Sequence, residues 1–225
     1  MAPQRQGSAG QIEAFHIDTV GAQGDGVAAG PVHIPLTLPG EEVMARRSGE
    51  RADLTEIVRA SAERVIPPCR HFGTCGGCAL QHWEMAPYLE WKRDQVRRVL
   101  ARERIETEIA PAIATPPGTR RRLALHARAV KGGAEVGFKE RGSWALAPIT
   151  ECTIADPRLV AAFPDLAKLA KPFLEHPKSA PTLHVTLTAT GLDVDITGVE
   201  RKSGGLSADA RMRAAEVAQG ADFAR

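Results

Sequence analysis

Residues 21–40 read "GAQGDGVAAGPVHIPLTLPG", and the meaning of this stretch decides the fold of the N-terminal region. Gly24-x-Gly26-x-x-x-Gly30 comes close to a phosphate-binding loop, which would open a dinucleotide-binding α/β sheet. Such a loop works only when a helix follows with its N-terminus facing the phosphate. Pro31, Pro35 and Pro39 follow instead, and proline this dense denies a helix its donors and its backbone angles. The stretch therefore reads as a turn between strands. On either side, "IEAFHIDTV" (12–20) and "PVHIPLTLPGEEV" (31–43) alternate apolar and polar residues with the period of a strand. "RADLTEIVRASAERVIPP" (51–68) is either strand or short helix, and the alternation in "LTEIVR" favours strand. Residues 1–62 are expected to form a small β domain.

The rest of the composition narrows the function classes. A chain of 225 residues can bury a core without staples, and 43% hydrophobic with 25% charged residues is ordinary for a globular protein. No apolar run approaches a membrane span, and "MAPQRQGSAGQ" (1–11) lacks the apolar centre of a signal peptide, so a cytoplasmic protein with no membrane partner is expected. A net charge of +2 means that any nucleic-acid affinity must come from local patches.

Cysteine usage is the sharpest signal. Three of the four cysteines stand in "CRHFGTCGGCALQHW" (69–83), spaced Cys69-x5-Cys75-x2-Cys78, and the fourth is the distant Cys152. In a reducing compartment, thiols in such a pattern suit metal better than disulfides. Zinc sites more often pair two short Cys-x2-Cys hairpins. Three ligands on one loop and a remote fourth suit a cubane iron–sulfur cluster. Gly76 and Gly77 would let amide N–H groups approach the sulfurs, and Arg70 and His71 would offset the cluster's charge. From spacing alone, iron–sulfur, zinc and free buried thiols all remain open.

Longer stretches resemble known families. "GDGVA" (24–28) and "GPVHIPLTLPGEEV" (30–43) look like a TRAM domain, an OB-like RNA-binding β-barrel. "PPCRHFGTCGGCALQHW" (67–83), "RRRLALHA" (120–127) and "GFKERGSWALAPITECTI" (137–154) resemble the bacterial iron–sulfur RNA (uracil-5-)-methyltransferases, which use S-adenosylmethionine on ribosomal or transfer RNA. That resemblance implies a 4Fe–4S cluster on Cys69, Cys75, Cys78 and Cys152. It implies an α+β chain: a TRAM barrel over 1–62, then a central iron–sulfur α/β domain over 63–225. The Cys-x3-Cys-x2-Cys spacing of radical-SAM enzymes is absent.

Two basic stretches fit RNA as a partner. A helix over 87–104, opened by Pro87, would put Tyr88, Leu89, Val96, Val99 and Leu100 on one face and Arg93, Arg97 and Arg104 on another. "TRRRLALHARAVKGG" (119–133) adds Arg120, Arg121, Arg122 and Arg128 on a strand. Arginine fits phosphate bidentately, although such patches are as often plain solvated surface. In "VGFKERGSW" (136–144), Phe138 and Trp144 are expected in the core, with stacking on an RNA base as the lesser alternative for either.

Downstream, Asp156-Pro157 starts a helix interrupted near Pro164 and Pro172. "TLHVTLTATGLDVDITGV" (182–199) reads as a hairpin with Leu183, Val185 and Leu187 answering Leu192, Val194 and Ile196, and Ser207 caps a helix ending near Gly220. The family's reaction needs a cysteine that adds to C6 of uracil and a Rossmann-like domain for S-adenosylmethionine. The cluster claims all four cysteines and no such domain is legible. The expectation is a truncated or split methyltransferase, an RNA-recognition portion inactive alone. It would work with a separate catalytic domain or self-associate through the helix 87–104. The alternative is a free-standing iron–sulfur or zinc RNA-binding module.

Overall fold

The computed structural model describes residues 10–200, 205–221 and 223, so most of the N-terminal stretch read for a leader lies outside the described residues. The chain divides into two compact units. The first comprises Met1–Pro68 and Cys78–Ala114, the second Cys69–Gly77 and Thr115–Arg225.

In the first unit, β1 (Ile12–Val20), β2 (Gly26–Ala28), β3 (Val32–Ile34), β4 (Glu42–Ser48) and β5 (Arg51–Arg59) close into a barrel in the order β1-β2-β3-β5-β4. Every pairing is antiparallel except β3 with β5. No helix follows the glycine-rich stretch, which excludes the dinucleotide reading; residues 21–25 turn the chain and Gly26 begins β2. Gly26 is required by close approach, since a Cβ there would sit 2.0 Å from Thr37 Oγ1. Ile17, Ala28, Val32, Ile34, Val43, Ala45 and Ala52 fill the interior. The five-stranded closure is consistent with an OB-like barrel.

The same unit contains α1 (Met85–Arg102), shifted two residues toward the N-terminus of the expected helix at each end. Its anchor is Trp91, which packs with Tyr88, Trp83, Val20 and Leu38. Trp91 Nε1–H donates to the Val20 carbonyl at 3.0 Å, so the indole satisfies its polar atom inside the cluster. The apolar face expected from the helical wheel is buried at only one end: Tyr88 packs against this cluster, whereas Val96 and Val99 are 49% and 58% exposed.

Glu41 is a fully buried carboxylate in this unit. It accepts hydrogen bonds from Leu38 N–H (2.9 Å), Ser61 N–H (3.2 Å) and Arg64 Nε (2.6 Å) and Nη2 (2.9 Å). Burial pushes its pKa up, but these hydrogen bonds and the Arg64 charge outweigh that and hold it below the usual carboxylate range.

The second unit is built on a sheet ordered β10-β9-β6-β7-β8. Its strands are β6 (Arg122–Val130), β7 (Gly133–Lys139), β8 (Leu146–Pro148), β9 (Thr182–Leu187) and β10 (Leu192–Thr197). The β9–β10 register pairs Leu187 with Leu192, Val185 with Val194 and Leu183 with Ile196, as the alternation predicts. The core joins Leu123, Leu125, Leu183 and Val185 of the sheet to Leu159, Phe163 and Leu166 of α2 (Pro157–Ala161) and α3 (Phe163–Ala170). Asp156 caps α2, accepting from Arg158 N–H at 3.0 Å, with Pro157 next in line. The interruptions expected at proline appear as the α2–α3 break before Pro164 and the 3-10 turn at Lys171–Leu174. Ser207 caps α4 (Ala208–Gly220) through Ala210 N–H at 3.1 Å. No described helix is long and apolar enough to cross a membrane.

Candidate metal-binding loop and nucleic-acid interface

The cysteine loop is shaped by short-range backbone bonds. Phe72 N–H donates to the Cys69 carbonyl at 3.1 Å and Cys75 N–H to the His71 carbonyl at 2.8 Å, winding the chain in consecutive turns. Gly76 N–H then donates to the Lys139 carbonyl at 2.9 Å, docking the loop on the end of β7. A Cβ on Gly76 would lie 2.7 Å from that carbonyl oxygen, so only glycine permits the docking. Gly77 N–H points at Cys75 Sγ from 3.4 Å, the kind of N–H···S contact that steadies a thiolate.

Two tethers hold this loop to the segment that ends in the remote cysteine. Arg70 Nη2 donates to Glu151 Oε2 at 2.8 Å, and Thr150 N–H donates to His71 Nε2 at 3.3 Å. The hydrogen bond from Arg70 lowers the Glu151 pKa to about 2, so this pair stays ionised down to strong acid. Arg70 and His71, beside Cys69, are thereby bound to Glu151 and Thr150, the two residues before Cys152. Cys75 and Cys152 also pack against the same hydrophobic core. Cys78 opens the segment that returns to the first unit, three positions along the chain from Cys75. None of the four cysteines is in a disulfide, and all four are half-buried. Among the described residues, no three His, Cys, Asp or Glu side chains converge as a metal site. The donor set suits a thiophilic metal in its chemistry: four unbridged thiols, a directed N–H and a loop that glycine keeps close to β7.

The arginines expected to contact RNA fall into two groups. Arg93 donates to the Ile109 carbonyl at 2.8 Å and faces Glu90, Arg97 pairs with Asp94, and Arg128 pairs with Glu135 across the β6–β7 ladder. Those three are engaged within the protein. Arg120, Arg121 and Arg122 are exposed and line an open groove with Thr186, Leu187 and Thr188. Among the described residues, no ion pair or side-chain hydrogen bond occupies any of these three guanidinium groups. Their backbone is held firmly: Arg120 N–H donates to the Ile154 carbonyl, Asp156 N–H to the Arg120 carbonyl, and Leu187 N–H to the Arg121 carbonyl at 3.0, 2.9 and 2.8 Å. Three adjacent cations on a fixed backbone at a sheet end are suited to a row of phosphates.

Trp144 is not in the core, contrary to expectation. It stands on the β7–β8 connection, 87% exposed, whereas Phe138 does pack on the core. β7 ends at Lys139, and Trp144 lies beyond it on the connection to β8, where strand periodicity assigns no face.

Comparison with known proteins points to one class. No protein-family model matches the chain. Over 95% of its length it is 65% identical to an uncharacterized RNA methyltransferase of Caulobacter vibrioides, covering 53% of that protein. It is 41% identical over 93% of its length to an uncharacterized RNA methyltransferase of Brucella suis, covering 50% of it. A more specific name comes from Acidithiobacillus ferrooxidans, whose 23S rRNA (uracil(1939)-C(5))-methyltransferase is 36% identical over 79% of this chain, covering 43% of that enzyme. These curated relatives are RNA methyltransferases, 23S rRNA uracil-C5 methyltransferases among them, and the chain spans about half of their length.

Proposed function

We propose that these residues form the RNA-recognition and cluster-binding portion of a class I S-adenosylmethionine-dependent RNA (uracil-5-)-methyltransferase acting on 23S rRNA in the cytoplasm. Similarity to RNA methyltransferases along almost the whole chain is the observation that supports this reading most. Residues 1–62 would be the TRAM-type barrel and residues 63–225 the central domain, although 78–114 group with the barrel as one compact unit. Cys69, Cys75, Cys78 and Cys152 would hold a 4Fe–4S cluster, which would supply a rigid cross-link between segments distant in sequence. The Arg70–Glu151 and Thr150–His71 tethers, which tie the segment around Cys69 to the one before Cys152, support this reading. With four cysteines so assigned, no thiol of these 225 residues remains to add to C6 of uracil. They serve to position RNA, and methyl transfer belongs to the protein as a whole.

Anaerobically purified protein is expected to be brown, with roughly four irons per chain. Cys152→Ser is expected to lose the colour and most of the iron while the barrel unit stays folded by circular dichroism. Full iron in that variant would remove Cys152 from the ligand set, and a colourless wild type binding zinc would replace the cluster.

RNA binding is expected to weaken as salt rises, since phosphate contacts release counterions. Changing Arg120, Arg121 and Arg122 together to alanine is expected to lower affinity and flatten the log–log salt slope by up to about three units. Changing Arg97 and Arg128, already paired, should do far less. An unaltered slope in the triple variant would return the three arginines to plain surface.

A further inference from the structure

The sheet end that bears the arginines carries an aromatic group as well. β6 runs antiparallel to both β7 and β9, so Arg122 at the start of β6, Lys139 at the end of β7 and Leu187 at the end of β9 share one end of the sheet. The β7–β8 connection and the β9–β10 turn close that same end. Trp144 rises from the β7–β8 connection with Lys139 Nζ 3.7 Å from its ring centroid. The ammonium covers one face of the indole, and the 87% exposure leaves the other to solvent. An indole held out in water at the same sheet end as three exposed guanidinium groups is the composition of a single-strand platform, with rings for bases and cations for phosphates.

We propose that Trp144 is a stacking site for an unpaired RNA base, on a strand whose phosphates run past Arg120, Arg121 and Arg122. This rests on the RNA-binding reading above and adds a selectivity to it. Arginines alone hold single and double strands alike, whereas a base inside a duplex offers no free face to the indole. The interface therefore prefers unpaired RNA. Lys139 has a positioning role, holding the ring by a cation–π contact and adding positive charge beside it.

Tryptophan fluorescence during titration with a short oligouridylate tests this, with an RNA duplex of equal length as comparison and filter binding as an independent measure of affinity. Trp83 and Trp91 are buried in the first unit, so Trp144 is the indole a base can reach. The expected result is a saturable quench by the single strand, with the duplex bound more weakly and without quench. Trp144→Leu, an exposed position whose change leaves the fold intact, is expected to abolish the quench and weaken binding about 5- to 150-fold. Trp144→Phe should keep most of the affinity. The arginine triple variant should bind weakly yet reach the same quench at saturation. Tight binding with an unquenched indole, or unchanged affinity in Trp144→Leu, overturns the stacking site and leaves the RNA reading standing. If neither strand form binds the wild type at low salt, both fail.

Discussion

Arg64→Ala is expected to destabilise the barrel unit by about 3–5 kcal/mol, because it strands the Glu41 carboxylate, fully buried, without its counter-charge. Two backbone N–H donors would remain, too few to replace the guanidinium. At about 4–8 °C per kcal/mol, the melting temperature should fall by more than about 12 °C. Thermal unfolding followed by the buried tryptophans of the same unit reads it directly. Arg59→Ala, which removes an exposed pair with Glu42, should cost no more than about 1 kcal/mol. A joint Glu41→Leu/Arg64→Met change should cost less than Arg64→Ala, since it removes both charges together. The pH dependence has a definite sign. The Glu41 pKa is depressed in the folded protein, so its contribution is complete above the carboxylate range of the unfolded chain and is lost as pH falls through the lower folded value. Arg64→Ala should flatten that acid limb. An Arg64→Ala protein as stable as wild type at neutral pH would show that water reaches Glu41.

Trp91→Ala is expected to cost a similar amount, about 3–5 kcal/mol, by opening a cavity among Val20, Leu38, Trp83 and Tyr88. It also leaves the Val20 carbonyl without its donor. Trp91→Phe separates the two effects: it keeps an aromatic ring 5.9 Å from Trp83 and forfeits the hydrogen bond, a loss of about 1–3 kcal/mol. Val99→Ala on the same helix should stay within about 0.5 kcal/mol. Urea denaturation of the three variants gives the ranking, and a Val99→Ala cost equal to that of Trp91→Ala would mean the exposed side of α1 is covered in solution.

The contrast within α1 shows which parts of the structure are legible in the sequence. Strands β1, β6, β9 and β10 declare themselves because alternate residues face one core, and the β9–β10 register follows from the same alternation. Caps at Asp156 and Ser207 declare themselves because the side chain bonds its own turn. The anchor of α1 does not: Trp91 sits between Glu90 and Lys92, far along the chain from its partners Val20 and Leu38, and a helical wheel weighs only neighbours in the helix. Trp144 misleads in the opposite way, because a large aromatic ring is assigned to the core on chemistry alone although its turn gives it nothing to pack on. The cysteine spacing singles out the loop, but the tethers from Arg70 and His71 to residues 150 and 151 are tertiary contacts with no local signature. Arg120, Arg121 and Arg122 look no different in sequence from Arg93 or Arg128; only the position of each carboxylate and carbonyl separates the spent cations from the available ones.

The Trp91–Val20 contact also bears on how the chain folds while it is being made. β1 to β5 are complete once Arg59 leaves the ribosome, yet Val20 and Leu38 receive their aromatic cover only when Trp83 and Trp91 emerge. At about 5–20 residues per second, that interval lasts roughly two to six seconds. The nascent barrel must pass this interval with an apolar patch uncovered, while the cysteine loop, which belongs to the second unit, is threaded out between the two parts of the first. A pause placed between codons 60 and 90 would lengthen that exposure, and fast translation there favours the soluble product.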